Sequence, residues 1–268
     1  MITVRLMGGL GNQMFQYACG RRLAIARGVP LVLDTQWLEA RELKAHEHYA
    51  LGSFELCSHV RRFGRRPSWP ARAFTTVIKE RSFALDRRVL NAPGRTYLDG
   101  FWQNEGYFSD VAPRIRSEFA LRIAPTAEAV ALAAKVGNGH TVSLHVRRAD
   151  YPDALPGAYY RETVAEMRQR VSDPKFYVFS DDLEWARQEL RLPAATTFVD
   201  FLPAGQPWVD MFTMSKCRHH IIANSTFSWW GAWLAPRIDS VVLAPRVWFF
   251  SDHPKDADFQ LPSSWIRL

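Results

Sequence analysis

Three short stretches in the second half of this 268-residue chain carry side chains suited to gripping a phosphorylated ligand. The first, "LHVRRADY", sets His145, Arg147, Arg148 and Asp150 where an apolar run ends. A guanidinium stays charged at any working pH and binds phosphate oxygens two at a time. An ion pair of either arginine with Asp150 is the structural alternative. The second stretch, "FSDD", closes another apolar run with Ser180, Asp181 and Asp182. Such residues cap a helix, or accept N–H and O–H donors from a guanine edge or a ribose, and the two uses can be split between the two aspartates. The third, "ANSTFSWWGAWL", puts Asn224, Ser225 and Thr226 at the opening of a helix. Hydroxyls, backbone N–H groups and the positive helix end together make an anion site there. Ordinary N-capping needs only one of the three.

A fourth stretch opens the chain: "MITVRLMGGLGNQMFQYACGRRLAIARG". Ile2 to Leu6 alternates and is β-branched, so it reads as a strand. From Met14, apolar residues at Phe15, Ala18, Cys19, Leu23 and Ala26 follow a helical face. Gly8, Gly9 and Gly11 therefore fall at a strand-to-helix turn, where backbone can approach a ligand closely. A phosphate loop would need Gly-Lys-Ser/Thr at its end, and Gly11 is followed by Asn12 and Gln13. The dinucleotide fingerprint is half met by Gly9-x-Gly11 and by Asp34 closing "PLVLD", but Met14 replaces its third glycine. A tight turn with no ligand is the third reading.

These residues need elements to position them. After residue 140 the rhythm is regular: strands at "TVSLHV", "KFYVFS", "TTFVD", "HHIIA" and "SVVLAP" alternate with helices at 159–171, 182–190, 209–216 and 225–235. Strands separated by crossover helices imply a parallel sheet covered on both faces. Between 36 and 95 the pattern is mixed. "RTYLDGFWQNEGYF" supplies a strand to about Phe101, then a turn and a helix toward Phe119, and Thr126 to Val136 is an alanine-rich helix. "GNGH" after it marks a boundary, giving domains 1–137 and 138–268, with ligands expected at the carboxyl ends of strands in a cleft between them.

The composition is that of a globular protein, with 47% hydrophobic and 23% charged residues. A net charge of +7 favours an anionic partner: nucleic acid, a membrane surface or a phosphorylated substrate. Much of the excess lies in the arginine-rich segment 60–72, read as a solvated loop that could also meet acidic headgroups. Three scattered cysteines, Cys19, Cys57 and Cys217, fit no disulfide framework or zinc spacing and suit a reducing cytosol. No signal-peptide pattern or membrane-spanning apolar run is present in the sequence. Asp256-Ala257-Asp258 lies outside any βα rhythm and reads as solvated carboxylates, while the histidines of His46-Glu47-His48, two apart, face different ways on a helix and have no third ligand nearby in the segment. A nucleic-acid module rests on charge alone, and a nicotinamide oxidoreductase on Gly9-x-Gly11 and Asp34 alone.

"GGLGNQMFQYA", "HVRRADY", "FSDD" and "NSTFSWWGAWL", in this order over most of the chain, resemble the bacterial α-1,2-fucosyltransferases of glycosyltransferase family 11. The H-x-R-R-x-D element is shared with the α-1,6 enzymes, and Ala149 stands where glycine is common. The resemblance implies a GT-B α/β fold of two Rossmann-like domains facing across a cleft, the first on the acceptor side and the second holding the donor. It implies GDP-β-L-fucose as donor, inversion, no metal or other cofactor, and transfer to the 2-hydroxyl of a terminal galactose; other fucosyl linkages are the alternative. On it, Arg147 is expected to contact the β-phosphate and Arg148 to support it or the α-phosphate. Ser225, Thr226 and Asn224 complete the anion pocket, while His145 and one of Asp181 or Asp182 hold guanine or ribose. Gly9 and Gly11 allow close backbone approach, and Asn12 hydrogen-bonds near the transferred sugar or leaving phosphate. Asp150 is the first candidate for a base, with orientation of Arg148 as its other use. The acceptor is expected to be a galactose-terminated oligosaccharide or lipid-linked glycan, with no nucleic-acid partner. The expected location is cytoplasmic, with a peripheral contact on the inner membrane face left open.

Overall fold

The computed structural model describes residues 1–39, 48–57, 59–61 (backbone only), 76–148, 152–203, 205–235, 238–250 and 261–268. Asp150, His46, Glu47, Asp256, Asp258 and the arginine-rich segment from 62 to 72 lie outside the described residues. The chain forms two compact units, one containing Met1–Ile123, the other containing Ala124–Ser251 and Pro262–Leu268. The division falls one helix earlier than the expected 137/138 boundary. That helix, Ala127–Val136, packs on a helix of the second unit, Pro207–Lys216.

The first unit is built on a sheet of β1 (Ile2–Arg5), β2 (Leu31–Asp34), β3 (His59–Arg61), β4 (Thr76–Lys79) and β5 (Thr96–Asp99). Its order is β3-β2-β1-β5-β4, and every neighbouring pair is parallel. Central strands of such a sheet are covered on both faces, and "ITVR" and "LVLD" are buried along almost their whole length. The helix α1 (Leu10–Arg27) crosses from β1 to β2, followed later by α2 (Arg87–Leu90) and α3 (Ala112–Glu118). Glu118, only 4% exposed, ties α3 to α1. It accepts from Tyr17 Oη at 2.6 Å and Arg21 Nη2 at 2.8 Å, and from Arg114 Nε at 2.7 Å. A buried carboxylate is tolerated only with such complete pairing.

The second unit starts with α4 (Ala127–Val136), then β6 (Thr141–Val146), α5 (Gly157–Arg170), β7 (Lys175–Ser180), α6 (Leu183–Glu189) and β8 (Thr197–Phe198). It continues with α7 (Pro207–Lys216), β9 (His219–Ile221), α8 (Thr226–Trp233), β10 (Val242–Ala244) and β11 (Ile266–Arg267). The sheet runs β11-β10-β9-β6-β7-β8, again all parallel. Alternate residues of its strands feed two cores. Val142, Leu144, Phe176 and Val178 pack under α5 and α6, while Tyr177 and Phe179 meet Leu132 of α4 and Met214 of α7. Trp229, Trp230 and Trp233 of α8 are buried and stack among themselves, and Trp229 also meets Trp265 at 5.4 Å. They are core. No helix among the described residues is long and apolar enough to cross a membrane.

Each sheet reverses its strand order once. In the second unit the chain builds outward through β7 and β8, then returns to the opposite side of β6 as β9. In the first unit it builds through β2 and β3, then crosses to the far edge as β4 and comes back beside β1 as β5. In open parallel sheets, ligands bind outside the carboxyl ends of the strands at such a switch point.

Candidate active site

The switch point of the second unit gathers the three polar stretches. Arg147 and Arg148 follow β6, Asp181 and Asp182 follow β7, and Asn224 to Thr226 follow β9. Arg147 Nη1 meets Asp181 Oδ2 at 2.8 Å, and both side chains keep partial access to solvent, 25% and 21%. The other oxygen of Asp181 accepts the Arg148 backbone N–H at 2.8 Å. One carboxylate thus aligns both arginines. The guanidinium of Arg148 lies over the Trp185 ring, 3.8 Å from its centroid, a cation–π contact that fixes its plane. Arg147 finds its carboxylate on the neighbouring strand, a partner that spacing along the chain did not suggest.

Asp182 has the ordinary role that its position allows. Its Oδ1 accepts the Trp185 N–H at 3.0 Å and caps α6, while its own N–H is held by Ser180 Oγ. Ser225 caps α8 by accepting the Phe227 N–H at 3.3 Å, and Thr226 is the first residue of that helix. Asn224 differs from the expectation that all three residues line an anion pocket. It is 1% exposed, and its Nδ2 donates to the carbonyls of Asp153 at 2.8 Å and Trp248 at 3.0 Å. Its amide therefore anchors two loops, and only its buried Oδ1 has no partner.

His145 is also deeper than a residue reaching for a base or ribose would be. It is 6% exposed, its ring rests against Phe227 at 5.4 Å, and Nδ1 is buried without a partner. Burial, reinforced by the Arg147 charge, pushes its pKa down to about 3. The imidazole is neutral at working pH, a polar spacer under α8 rather than a cation for phosphate.

The glycine turn of the first unit lies at the other switch point. The helix begins at Leu10, not Met14, so Gly11, Asn12 and Gln13 belong to its first turn. Gly9 is its N-cap and gives no side-chain bond, yet the turn is held by two buried glutamines that sequence reasoning missed. Gln16 accepts the Met7 N–H at 3.0 Å, and Gln13 donates to the carbonyls of Gly8 at 2.9 Å and His48 at 2.7 Å. The signal for them was their polarity on the apolar face of an otherwise amphipathic helix. Gly8 has φ 71°, and a side chain there would collide with the Asn12 amide. Asn12 Oδ1 accepts from Gln103 Nε2, at 2.9 Å, across the gap between the ends of β1 and β5.

Asp34, the acid of the half-met dinucleotide fingerprint, is engaged internally. It is 7% exposed, accepting Tyr97 Oη at 2.6 Å and the Gln36 N–H at 3.0 Å. A dinucleotide site needs that carboxylate for ribose hydroxyls, so the nicotinamide alternative loses its second support. Among the described residues, no group of three or more His, Cys, Asp or Glu side chains is placed to hold a metal ion.

A sequence model described as Glycosyl transferase family 11 matches residues 1–268. An alpha-1,2-colitosyltransferase of Escherichia coli is 31% identical over 295 aligned residues, spanning 100% of this chain and 99% of that protein. The galactoside alpha-(1,2)-fucosyltransferase 1 of Aotus azarae is 33% identical over 166 residues, 55% of this chain and 44% of its own. Among solved structures, the NodZ alpha-1,6-fucosyltransferase of Bradyrhizobium, soaked with GDP-fucose, superposes with a TM-score of 0.55 at 18% identity, over 90% of this chain and 94% of that one. That likeness is one of fold: two parallel α/β units, the make-up of the GT-B class. With the family matched from end to end, the chain belongs to glycosyl transferase family 11 and is a glycosyltransferase.

Proposed function

We propose that the chain transfers L-fucose from GDP-β-L-fucose to the 2-hydroxyl of a terminal galactose, inverting the anomeric centre. The observation that carries this reading is Arg147, aligned by Asp181 at 2.8 Å where the second sheet switches direction. As the sugar–phosphate bond breaks, GDP gains negative charge while the fucosyl carbon becomes oxocarbenium-like. A fixed guanidinium stabilises that charge without reorganising at the moment of reaction. Arg147 then serves the β-phosphate, and Arg148, stacked on Trp185, serves it or the α-phosphate. The Ser225-capped start of α8 adds backbone N–H groups and the positive helix end. In the first unit, Asn12 offers its amide to an oxygen of the sugar substrates, and Gly9 and Gly11 allow close backbone approach. Asp150 is the proposed acceptor of the 2-hydroxyl proton. No metal is required by this arrangement of fixed cations.

The full-length likeness to a colitosyltransferase favours a second donor reading within the same chemistry. Colitose is fucose without its 3-hydroxyl, so the two donors share the diphosphate and differ in one sugar contact. The acceptor is a galactose-terminated oligosaccharide or lipid-linked glycan; a lipid-linked one would bring the protein to the inner face of the cytoplasmic membrane. The test is an acceptor panel incubated with GDP-fucose or GDP-colitose, in EDTA, with linkage read by NMR. An α-1,2-linked product on galactose is expected with GDP-fucose. A different linkage, transfer from GDP-colitose alone, or activity that returns only with Mn²⁺ would each overturn the corresponding part.

A further inference from the structure

The turn after β5 is constructed with more care than a connection requires. The carboxylate of Glu80 accepts the backbone N–H groups of Phe101 and Trp102, each at 2.8 Å. Trp102 is fully buried and has φ 57°, in the left-handed region that L side chains rarely occupy. Its ring packs edge-on against Tyr107 at 5.7 Å, and its carbonyl accepts the Asn104 N–H at 2.8 Å across the intervening residue. A side chain at Gly100 would collide with Glu80, so glycine is what lets that clamp close. The residue so presented is Gln103, 6% exposed, and its amide donates to Asn12 Oδ1 at 2.9 Å. Gln103 Oε1 and Trp102 Nε1 are buried with no partner, an expense that native proteins tolerate mainly where function demands it.

We infer that Gln103 is a positioning residue that holds the Asn12 side-chain amide in the orientation in which it meets substrate. This rests on the transferase reading above and narrows it. Gln103 fastens Oδ1 and Nδ2 lies against Gly8, so both ends of the amide are held by the turn itself.

A double-mutant cycle tests this, with Gln103→Met, Asn12→Ala and their combination assayed for transfer from GDP-fucose. Gln103→Met is expected to lower kcat by about fivefold to tenfold, the size of one neutral hydrogen bond, with the donor KM within about twofold. In the Asn12→Ala background the same change should cost less than about twofold, because the residue it acts through is gone. An equal loss in both backgrounds, or no loss in either, overturns the inference. Gln103→Glu covers the case of a misfolded Gln103→Met: it accepts rather than donates, should turn the Asn12 amide around, and should match Asn12→Ala in kcat. A wild-type protein inactive with every GDP-sugar would refute the transferase reading instead. Even then the Asn12 side-chain NH2 resonances, assigned by their loss in Asn12→Ala, report on the lock. They should move in Gln103→Met, and unmoved resonances contradict it.

Discussion

The guanidinium of Arg147 and the carboxylate of Asp181, 2.8 Å apart, come from the ends of neighbouring strands, and the same carboxylate holds the Arg148 backbone N–H. If Asp181 works by aligning Arg147, Asp181→Asn should lower kcat by roughly tenfold to a hundredfold, the worth of a charge-assisted hydrogen bond. The donor KM should change by less than about threefold. Steady-state kinetics with varied GDP-fucose separate the two uses of this residue. A raised KM at unchanged kcat would instead give Asp181 to the ribose or guanine.

His145 makes a prediction about pH and stability. Its folded pKa, about 3, lies below the ordinary 6.5. Between those values the unfolded chain takes up a proton that the folded chain refuses. The contribution is therefore complete above about pH 6.5 and is lost as pH falls through the window, by up to about 1.4 kcal/mol per pH unit. Urea unfolding of the wild type and His145→Gln at pH 7.5, 5.5 and 4.5 measures it. The variant should lose less stability on acidification, and parallel losses in the two proteins would refute a buried neutral imidazole.

Asn224 is expected to act on stability more than on ligand affinity. Its amide satisfies two buried carbonyls, those of Asp153 and Trp248. Asn224→Ala leaves both without that donor, at a cost of about 2–5 kcal/mol in unfolding free energy. A denaturant midpoint close to that of the wild type would return this residue to the ligand.

Much of the fold is legible in the sequence where each element carries its own local signal. The strands and helices from β6 to β10 were readable because each apolar run has its own crossover helix and turn. The start of α1 was misread by four residues, because glycine and asparagine in a first turn look like loop while Gln13 and Gln16 fasten that turn. β3, β4 and β11 were not identified. β4 is an edge strand with a single buried residue, and β11 has only two residues, so neither carries a period. Arg147, Arg148 and Ser225 lie at the strand and helix ends at which the apolar runs of the sequence place them. The Asp181 partnership and the Gln103 contact join residues 34 and 91 positions apart and left no local signal.

Asp150 is the proposed base, and its variant Asp150→Asn tests the role through the shape of the pH–rate profile. The acidic limb of kcat/KM should disappear if the carboxylate takes the acceptor proton. An unchanged limb clears Asp150 of that role and leaves departure of GDP as the step that the protein assists.

The most direct test of the whole account is a calorimetric titration of GDP into the wild type, Arg147→Ala and, as a control, Arg187→Ala, whose side chain pairs with Asp200 at the surface. Arg147→Ala should bind GDP about tenfold to a hundredfold more weakly, with the control unchanged. Equal affinity in all three proteins would mean that the diphosphate does not rest on Arg147.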